Sequence, residues 1–155
     1  MQTNKDKLDV IIRWGSIALM LVIIVLQFFP FWNVDGKSIS VAAYMWWPEK
    51  NAELTTFMRT ELANPQFDVR NFLNAAFFQL ASAGFGIFWY LTKKNNPAIV
   101  AVPIICAVFG ITAYLFNPAY RYGGNWVIQL VINVVLLVLS VIKLVKILKN
   151  LTIIK

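Results

Sequence analysis

The sequence predicts an all-α membrane protein, a four-transmembrane-helix bundle with a structured extracytoplasmic loop between its first two helices. Hydrophobic residues make up 59% of the 155 residues and charged residues only 14%, whereas soluble domains are about 45–50% apolar and about 25% charged. The apolar residues fall in long blocks, each near the ~20 residues that cross a bilayer as a helix. We therefore expect a single membrane domain over residues 1–155.

The first predicted span covers residues 14–31 and follows a short polar start that carries Lys5, Lys7 and Arg13. A cleaved signal peptide is the alternative, but its apolar region is usually ~7–15 residues long and is followed by a small-residue cleavage site. The run here is longer, and the nearest small-residue stretch, residues 41–43, lies far downstream. We expect this helix to be retained.

A long outer loop, residues 32–68, follows the first span and has mixed polarity. Asp35-Gly36 predicts a turn. The segment Ser38–Trp47 reads SISVAAYMWW, and its β-branched and aromatic residues predict a short strand or hairpin arm. We expect Pro48 to end that strand.

The same loop is expected to contain a short amphipathic helix. Asn51 is a suitable N-cap, and Asn64-Pro65 would stop the helix after about Leu62. At helical spacing, four apolar residues of this segment share one face. They are Leu54, Phe57, Met58 and Leu62.

Three further spans are predicted, at residues 69–91, 97–116 and 126–144. Asp68 is a suitable N-cap for the second span. Pro97 suits the first helical position of the third, where its missing N–H has no partner to lose.

Net charge is +7, and its distribution predicts how the bundle is oriented. With four spans, both termini and the connection after the second span lie on one side, which carries nine Lys and Arg against Asp6 and Asp9. The opposite side carries five basic and five acidic residues. Because basic residues are retained in the cytoplasm, we expect both termini there, in an integral protein of a bacterial plasma membrane.

Aromatic residues near the span ends agree with this orientation, since their rings prefer the headgroup level of a membrane. Those expected at the inner interface are Trp14, Trp89 and Tyr90. Those expected at the outer interface are Phe31, Trp32, Tyr120, Tyr122 and Trp126.

The sequence offers no catalytic site. It has no histidine and a single cysteine, Cys106, which argues against His-ligated haem, most zinc sites and an internal disulfide. No charged residue lies in the central part of any span, although ion-coupled transporters usually need one. We expect no enzyme activity, no cofactor and no metal. We also expect no nucleic acid partner, because no basic domain remains once the spans are removed.

Five amide side chains form a predicted polar cluster in the outer half of the spans. Such amides bond across helices at about 0.6–2 kcal/mol each, which would make them helix-to-helix contacts. A polar cavity open to the outside is the alternative. The five residues are Gln27, Asn74, Gln79, Gln129 and Asn133.

Small residues recur on the second span, among them Ser82, Gly84 and Gly86. Such residues let helix backbones approach closely. The contact they favour lies either within one bundle or between copies of a homo-oligomer.

Four large side chains in the outer loop form a predicted partner-binding segment: Tyr44, Met45, Trp46 and Trp47. On a strand, side chains alternate between faces, so Tyr44 and Trp46 would point one way and Met45 and Trp47 the other. Both faces cannot pack on one short helix. One face either binds a protein or lipid partner or closes a self-packed cap over the bundle.

The layout resembles that of claudin-type four-helix proteins. Four spans, cytoplasmic termini, a long first outer loop with a strand and a short helix, and a short second loop all match that plan. The tryptophan–glycine–leucine–tryptophan and paired-cysteine signature of that family is absent, and Trp46-Trp47 does not replace it. The resemblance covers the plan alone and implies no function or site residue.

These observations predict a non-enzymatic, multi-pass accessory or interaction protein whose outer loop binds a protein or lipid partner. The alternative is a small oligomeric transporter or channel that uses the outer-half amides. The expected partners are membrane lipid, a protein bound by the outer loop, and further copies of the chain.

Overall fold

A computed structural model describes the chain over residues 4–65, 70–92 and 97–153. Within these ranges the chain is mostly helical and contains one small sheet. The elements in order are α1 (Asn4–Leu26), β1 (Pro30–Val34), β2 (Lys37–Ser40), α2 (Val41–Trp46), α3 (Pro48–Glu61), α4 (Arg70–Thr92), α5 (Pro97–Phe116), α6 (Pro118–Arg121) and α7 (Trp126–Ile153).

Four of these helices contain stretches long and apolar enough to cross a membrane. The stretches are 18 to 25 residues long, and at ~1.5 Å per residue they match a hydrocarbon core of about 30 Å. The prediction of four long apolar helices is confirmed, and the chain is compatible with an integral membrane protein. The stretches are Lys7–Leu26, Ala75–Thr92, Pro97–Phe116 and Trp126–Asn150.

The four long helices form a ring. Helix α1 packs against α4 and α7, and α5 packs against the same two helices, so α4 and α7 lie across the ring from each other. Many large apolar side chains on the outside of the ring, such as Phe85 and Val138, are exposed, and a bilayer would cover them. The interior includes Ile17, Met20, Ala83, Cys106 and Leu136.

The two ends of the ring differ. The capped end carries β1, β2, α2, α3 and α6, which together we call the cap. The terminal end holds the start of α1 and the end of α7, where Asp9 lies beside Lys143.

The predicted small-residue contact on the second span is only partly correct. At Gly86 a Cβ atom would lie 2.6 Å from Met20 Sδ of α1, so this glycine does allow a close approach. At Gly84 a Cβ would meet no described atom within 4 Å, because positions two apart on a helix point to nearly opposite sides.

The predicted Asp35-Gly36 turn is confirmed. It joins β1 and β2 into an antiparallel hairpin in which Trp32 pairs with Ile39. Both turn residues have positive φ, 49° at Asp35 and 77° at Gly36, as a tight two-residue hairpin turn requires.

The predicted strand Ser38–Trp47 is wrong beyond Ser40, because the chain turns there into α2. The Ser40 hydroxyl accepts a hydrogen bond from the Ala43 N–H at 2.9 Å and caps the helix. The Ala42 N–H donates to the Gln27 carbonyl at 2.8 Å. The helical path also buries Tyr44 in the cap, and Ala42, Ala43 and Met45 are residues that favour helix over strand.

Helix α3 begins at Pro48 rather than at the predicted Asn51. Pro48 therefore starts a helix, in the first helical turn that suits proline. The predicted apolar face is confirmed, since Leu54 and Met58 are buried and Phe57 and Leu62 pack against the same cluster.

The helix bounds depart from two predicted spans. The first span was placed at residues 14–31, but α1 ends at Leu26 and β1 begins at Pro30. Pro30 disfavours helix at the residue before it, and strand pairing then takes over. Helix α7 continues past the predicted residue 144. The predicted cap Asp68 lies outside the described residues.

Candidate functional site

A buried amide pair crosses the interior of the ring. Gln79 of α4 donates from Nε2 to Oδ1 of Asn133 on α7 at 2.9 Å. Asn133 Nδ2 donates in turn to the Gln129 carbonyl at 2.8 Å. Both side chains of the pair are fully buried. The pair therefore connects two helices that lie across the ring from each other.

Helix α5 makes room for this pair with a glycine. A Cβ atom built on Gly110 would collide with the amide groups of both Asn133 and Gln79. One helical turn earlier, the Cys106 thiol donates to the Gln79 carbonyl at 3.6 Å. The lone cysteine is thus a buried neighbour of the amide pair.

A second set of polar groups lies nearer the capped end and centres on Gln129. Its Oε1 accepts from Gln27 Nε2 at 3.2 Å and from the Tyr114 hydroxyl. Its Nε2 donates to Asn125 Oδ1 at 2.9 Å. Gln27 Nε2 also donates to the Ile23 carbonyl at 3.3 Å, which fixes the orientation of that amide. The buried Gln27 Oε1 has no hydrogen-bond partner among the described residues.

Four of the five predicted amides thus belong to one connected network. The fifth, Asn74, lies on α4, but its side chain falls outside the described part of the chain. Tyr114 and Asn125 also belong to the network but were not among the predicted residues. Asn125 could have been found from its four-residue spacing to Gln129, whereas nothing local marks Tyr114.

The cap encloses an aromatic core. The rings of Phe31 and Trp32 lie 4.6 Å apart, as do those of Tyr114 and Tyr120. The Trp32 indole N–H donates to the Ala119 carbonyl at 2.9 Å. Phe31, Trp32 and Tyr120 are buried, so these three rings pack inside the protein and do not project from its surface.

Two glycines after α6 lie against β1. A Cβ atom at Gly123 would collide with the Phe31 ring. The Gly124 N–H donates to the Phe31 carbonyl at 2.7 Å. The connection between α6 and α7 is thereby packed against and hydrogen-bonded to β1.

The predicted partner-binding segment divides between the core and the surface. Tyr44 is fully buried and Met45 is half-buried. Trp46 and Trp47 are 68% and 53% exposed, and they are consecutive residues at the junction of α2 and α3. We call these two residues the tryptophan pair.

A groove of about 560 Å³ lies between the hairpin turn and α3. Glu53 on its wall accepts hydrogen bonds from Lys50 at 3.1 Å and Lys37 at 3.2 Å, and these bonds lower the pKa of its carboxyl group. No pattern in the sequence predicted this groove. It is lined by Val34, Asp35, Lys37, Ala52, Glu53, Thr56, Phe57, Thr60 and Glu61.

Within the described residues, no cluster of three or more His, Cys, Asp or Glu side chains could hold a metal ion. No model of a known protein family, no curated protein and no solved structure matches the chain. The fold defines a class of protein: four helices able to span a membrane, joined by buried amides and closed at one end by a small aromatic cap.

Proposed function

We propose that this chain is a non-enzymatic integral membrane protein whose cap binds a protein partner through the tryptophan pair. One observation carries the proposal. Trp46 and Trp47 are 68% and 53% exposed on a cap whose remaining tryptophan, Trp32, is fully buried.

The membrane placement is supported by the outer surface of the ring and by the charges at its ends. Exposed apolar side chains run along all four long helices, as hydrocarbon contact requires. The excess of basic residues lies at the terminal end. By the positive-inside bias, the termini lie in the cytoplasm and the cap lies outside.

The tryptophan pair has the support that a binding surface needs. The Ser40 cap, the buried Tyr44 and the helix start at Pro48 hold the backbone on both sides of it. Two exposed indoles cost free energy in water, and tryptophan is enriched among the anchor residues of interfaces. The next residues, Glu49 and Lys50, are charged, which favours a water-facing protein partner over the lipid surface.

The test combines cross-linking in native membranes with thermal melting in detergent. Trp46→Ala and Trp47→Ala should each abolish a specific cross-linked product, since an anchor residue contributes ~2–4 kcal/mol, and should leave the melting temperature nearly unchanged. Phe116→Ala is the matched control, because Phe116 is also highly exposed but lies on α5. It should keep the product.

Two results would count against the proposal. If binding per folded molecule survives in both tryptophan variants, the pair is not the anchor. If the variants instead lose association with protein-free vesicles, the pair rests on lipid.

A small oligomeric transporter or channel is the second candidate, and the unpartnered buried Gln27 Oε1 favours it. Polar groups without a partner inside a bundle often mark a solute path. Flux through the reconstituted protein, carried by a homo-oligomer and lost in Asn133→Leu, would support this candidate.

A further inference from the structure

At the terminal end of the ring, basic side chains of α1 and α7 lie around one partly buried carboxylate. The ammonium groups of Lys143 and Lys146 each lie 3.5 Å from Asp9 Oδ1. The Lys143 side chain is only 10% exposed. Arg13 lies one turn after Asp9 on the same helix. We call Asp9, Arg13, Lys143 and Lys146 the basic crevice.

The Asp9 carboxylate alone does not balance the charge of the three basic side chains. Lys143 and Lys146 share Asp9 Oδ1 as their ion-pair partner, and Arg13 Nε is buried without a hydrogen-bond partner among the described residues. The Arg13 guanidinium donates a long hydrogen bond, 3.4 Å, to the Leu91 carbonyl of α4. Even with Asp6 included, the sequence places nine Lys and Arg against two acids at this end.

An excess of positive charge in a partly buried crevice is costly unless an anion compensates it. Three cations against one carboxylate leave two uncompensated charges among the four residues of the crevice. A phosphate group suits this set of charges, because its several oxygens can accept hydrogen bonds from guanidinium and ammonium groups. The crevice therefore fits a phosphate better than a single chloride ion.

The surroundings of the crevice indicate that the phosphate belongs to a lipid. Apolar side chains in the same turns are exposed: Val10, Ile11 and Trp14 on α1, and Ile142 and Val145 on α7. The Arg13 guanidinium lies 5.8 Å from the Trp14 ring centre, and tryptophan prefers the headgroup level of a membrane. A free phosphate would leave this apolar surface unused, whereas acyl chains would cover it.

We propose that the basic crevice binds the phosphate headgroup of an anionic phospholipid in the cytoplasmic leaflet. This site rests on the proposed placement of the four helices in a bilayer. It does not depend on the tryptophan pair, which lies at the other end of the ring.

The test measures thermal stabilisation of the purified full-length protein in a neutral detergent. Phosphatidylglycerol, phosphatidylcholine and inorganic phosphate are titrated in separate arms. We expect stabilisation by phosphatidylglycerol alone. Arg13→Gln and Lys146→Gln should each weaken its apparent affinity about fivefold, since a basic residue near an anionic lipid surface contributes on that order.

Lys149→Gln is the matched control, because Lys149 lies on the same helix but is exposed outside the crevice. Its affinity for phosphatidylglycerol should change less than twofold. Lys143→Met removes the most buried cation, and its melting temperature without lipid is measured first. If it does not fold, the comparison stands on the two Gln variants, whose parent side chains are less buried than Lys143.

Three results would overturn the site. Equal stabilisation by phosphatidylcholine would show that the negative charge of the lipid does not matter. An equal loss of phosphatidylglycerol affinity in Lys149→Gln would show a general electrostatic attraction to the basic end of the helix and not binding in the crevice. Stabilisation by inorganic phosphate alone would show that the ligand is a free phosphate and not a lipid. Trp46→Ala should bind phosphatidylglycerol normally, so failure of the cap proposal and failure of the lipid site give different results.

Discussion

Gly110 is a position where the absence of a side chain determines how the interior of the bundle fits together. Helix α5 passes so close to the Gln79–Asn133 pair that a Cβ atom on Gly110 would collide with both amides. The hydrogen bond across the ring therefore depends on a third residue that takes no part in it.

Gly110→Ala should destabilise the folded protein. The added methyl group must separate the amide pair or push α5 outward, and overpacking of this kind costs ~1–3 kcal/mol. We expect a lower melting temperature in detergent.

Gly84→Ala is the control for this prediction. Gly84 is exposed on α4 and has open space around its Cα among the described residues, so alanine should be neutral or stabilising, by up to ~1 kcal/mol as a better helix former. If the two variants melt at the same temperature, the Gly110 contact is not close.

At the scale of elements, α2 and the hairpin show how context reshapes local preference. Residues 41–46 mix strand formers with the helix formers Ala42, Ala43 and Met45, and the helical path places Tyr44 among the buried rings of the cap. The contact of Phe31 with Gly123 then connects β1 to the chain that follows α6. The cap is thereby built from both connections of the capped end.

Gly123→Ala should open this connection between β1 and the chain after α6. The new methyl group would collide with the Phe31 ring, which is itself held edge-on against Trp32 and Tyr120. Because the ring is buried against these neighbours, we expect a loss of ~1–3 kcal/mol and a weaker near-ultraviolet circular dichroism signal from the aromatic core.

The neighbouring glycine provides the control. At Gly124 the nearest atom to an added Cβ would be the Phe31 carbonyl oxygen at 3.8 Å, an ordinary contact. Gly124→Ala should therefore keep the aromatic signal. Equal effects of the two substitutions would show that backbone conformation, and not the Phe31 ring, matters here.

At the scale of the whole molecule, the two ends of the ring have different charges, and this difference predicts which end faces the cytoplasm. Ser38→Cys lies in the cap, and Asn95→Cys lies in the connection between α4 and α5 by its position in the sequence. In a Cys106→Ala background, a membrane-impermeant thiol reagent should label the first in intact cells. It should label the second only after permeabilisation. Labelling of both from one side would contradict the four-span arrangement.

Much of the architecture could be predicted because it depends on local sequence. The long apolar blocks are a property of composition, and the apolar face of α3 and the turn at Asp35-Gly36 follow from spacing and backbone preference. The candidate site was predictable in part, since the amides stand out in apolar helices. The residues that contact these amides could not be predicted, because Tyr114 and Gly110 look like ordinary residues of an apolar span.

The sequence by itself determined that four helices are long and apolar enough for a membrane, and that amides lie within them. Only the tertiary structure decided that Gln79 meets Asn133 across the ring, that Trp32 is buried, and that Trp46 and Trp47 are exposed. The physical reason is that a helix or turn is stabilised by residues a few positions apart. Burial and amide pairing also depend on groups far apart in the chain, such as Gln79 and Asn133, 54 positions apart, and no local pattern specifies which of them will meet.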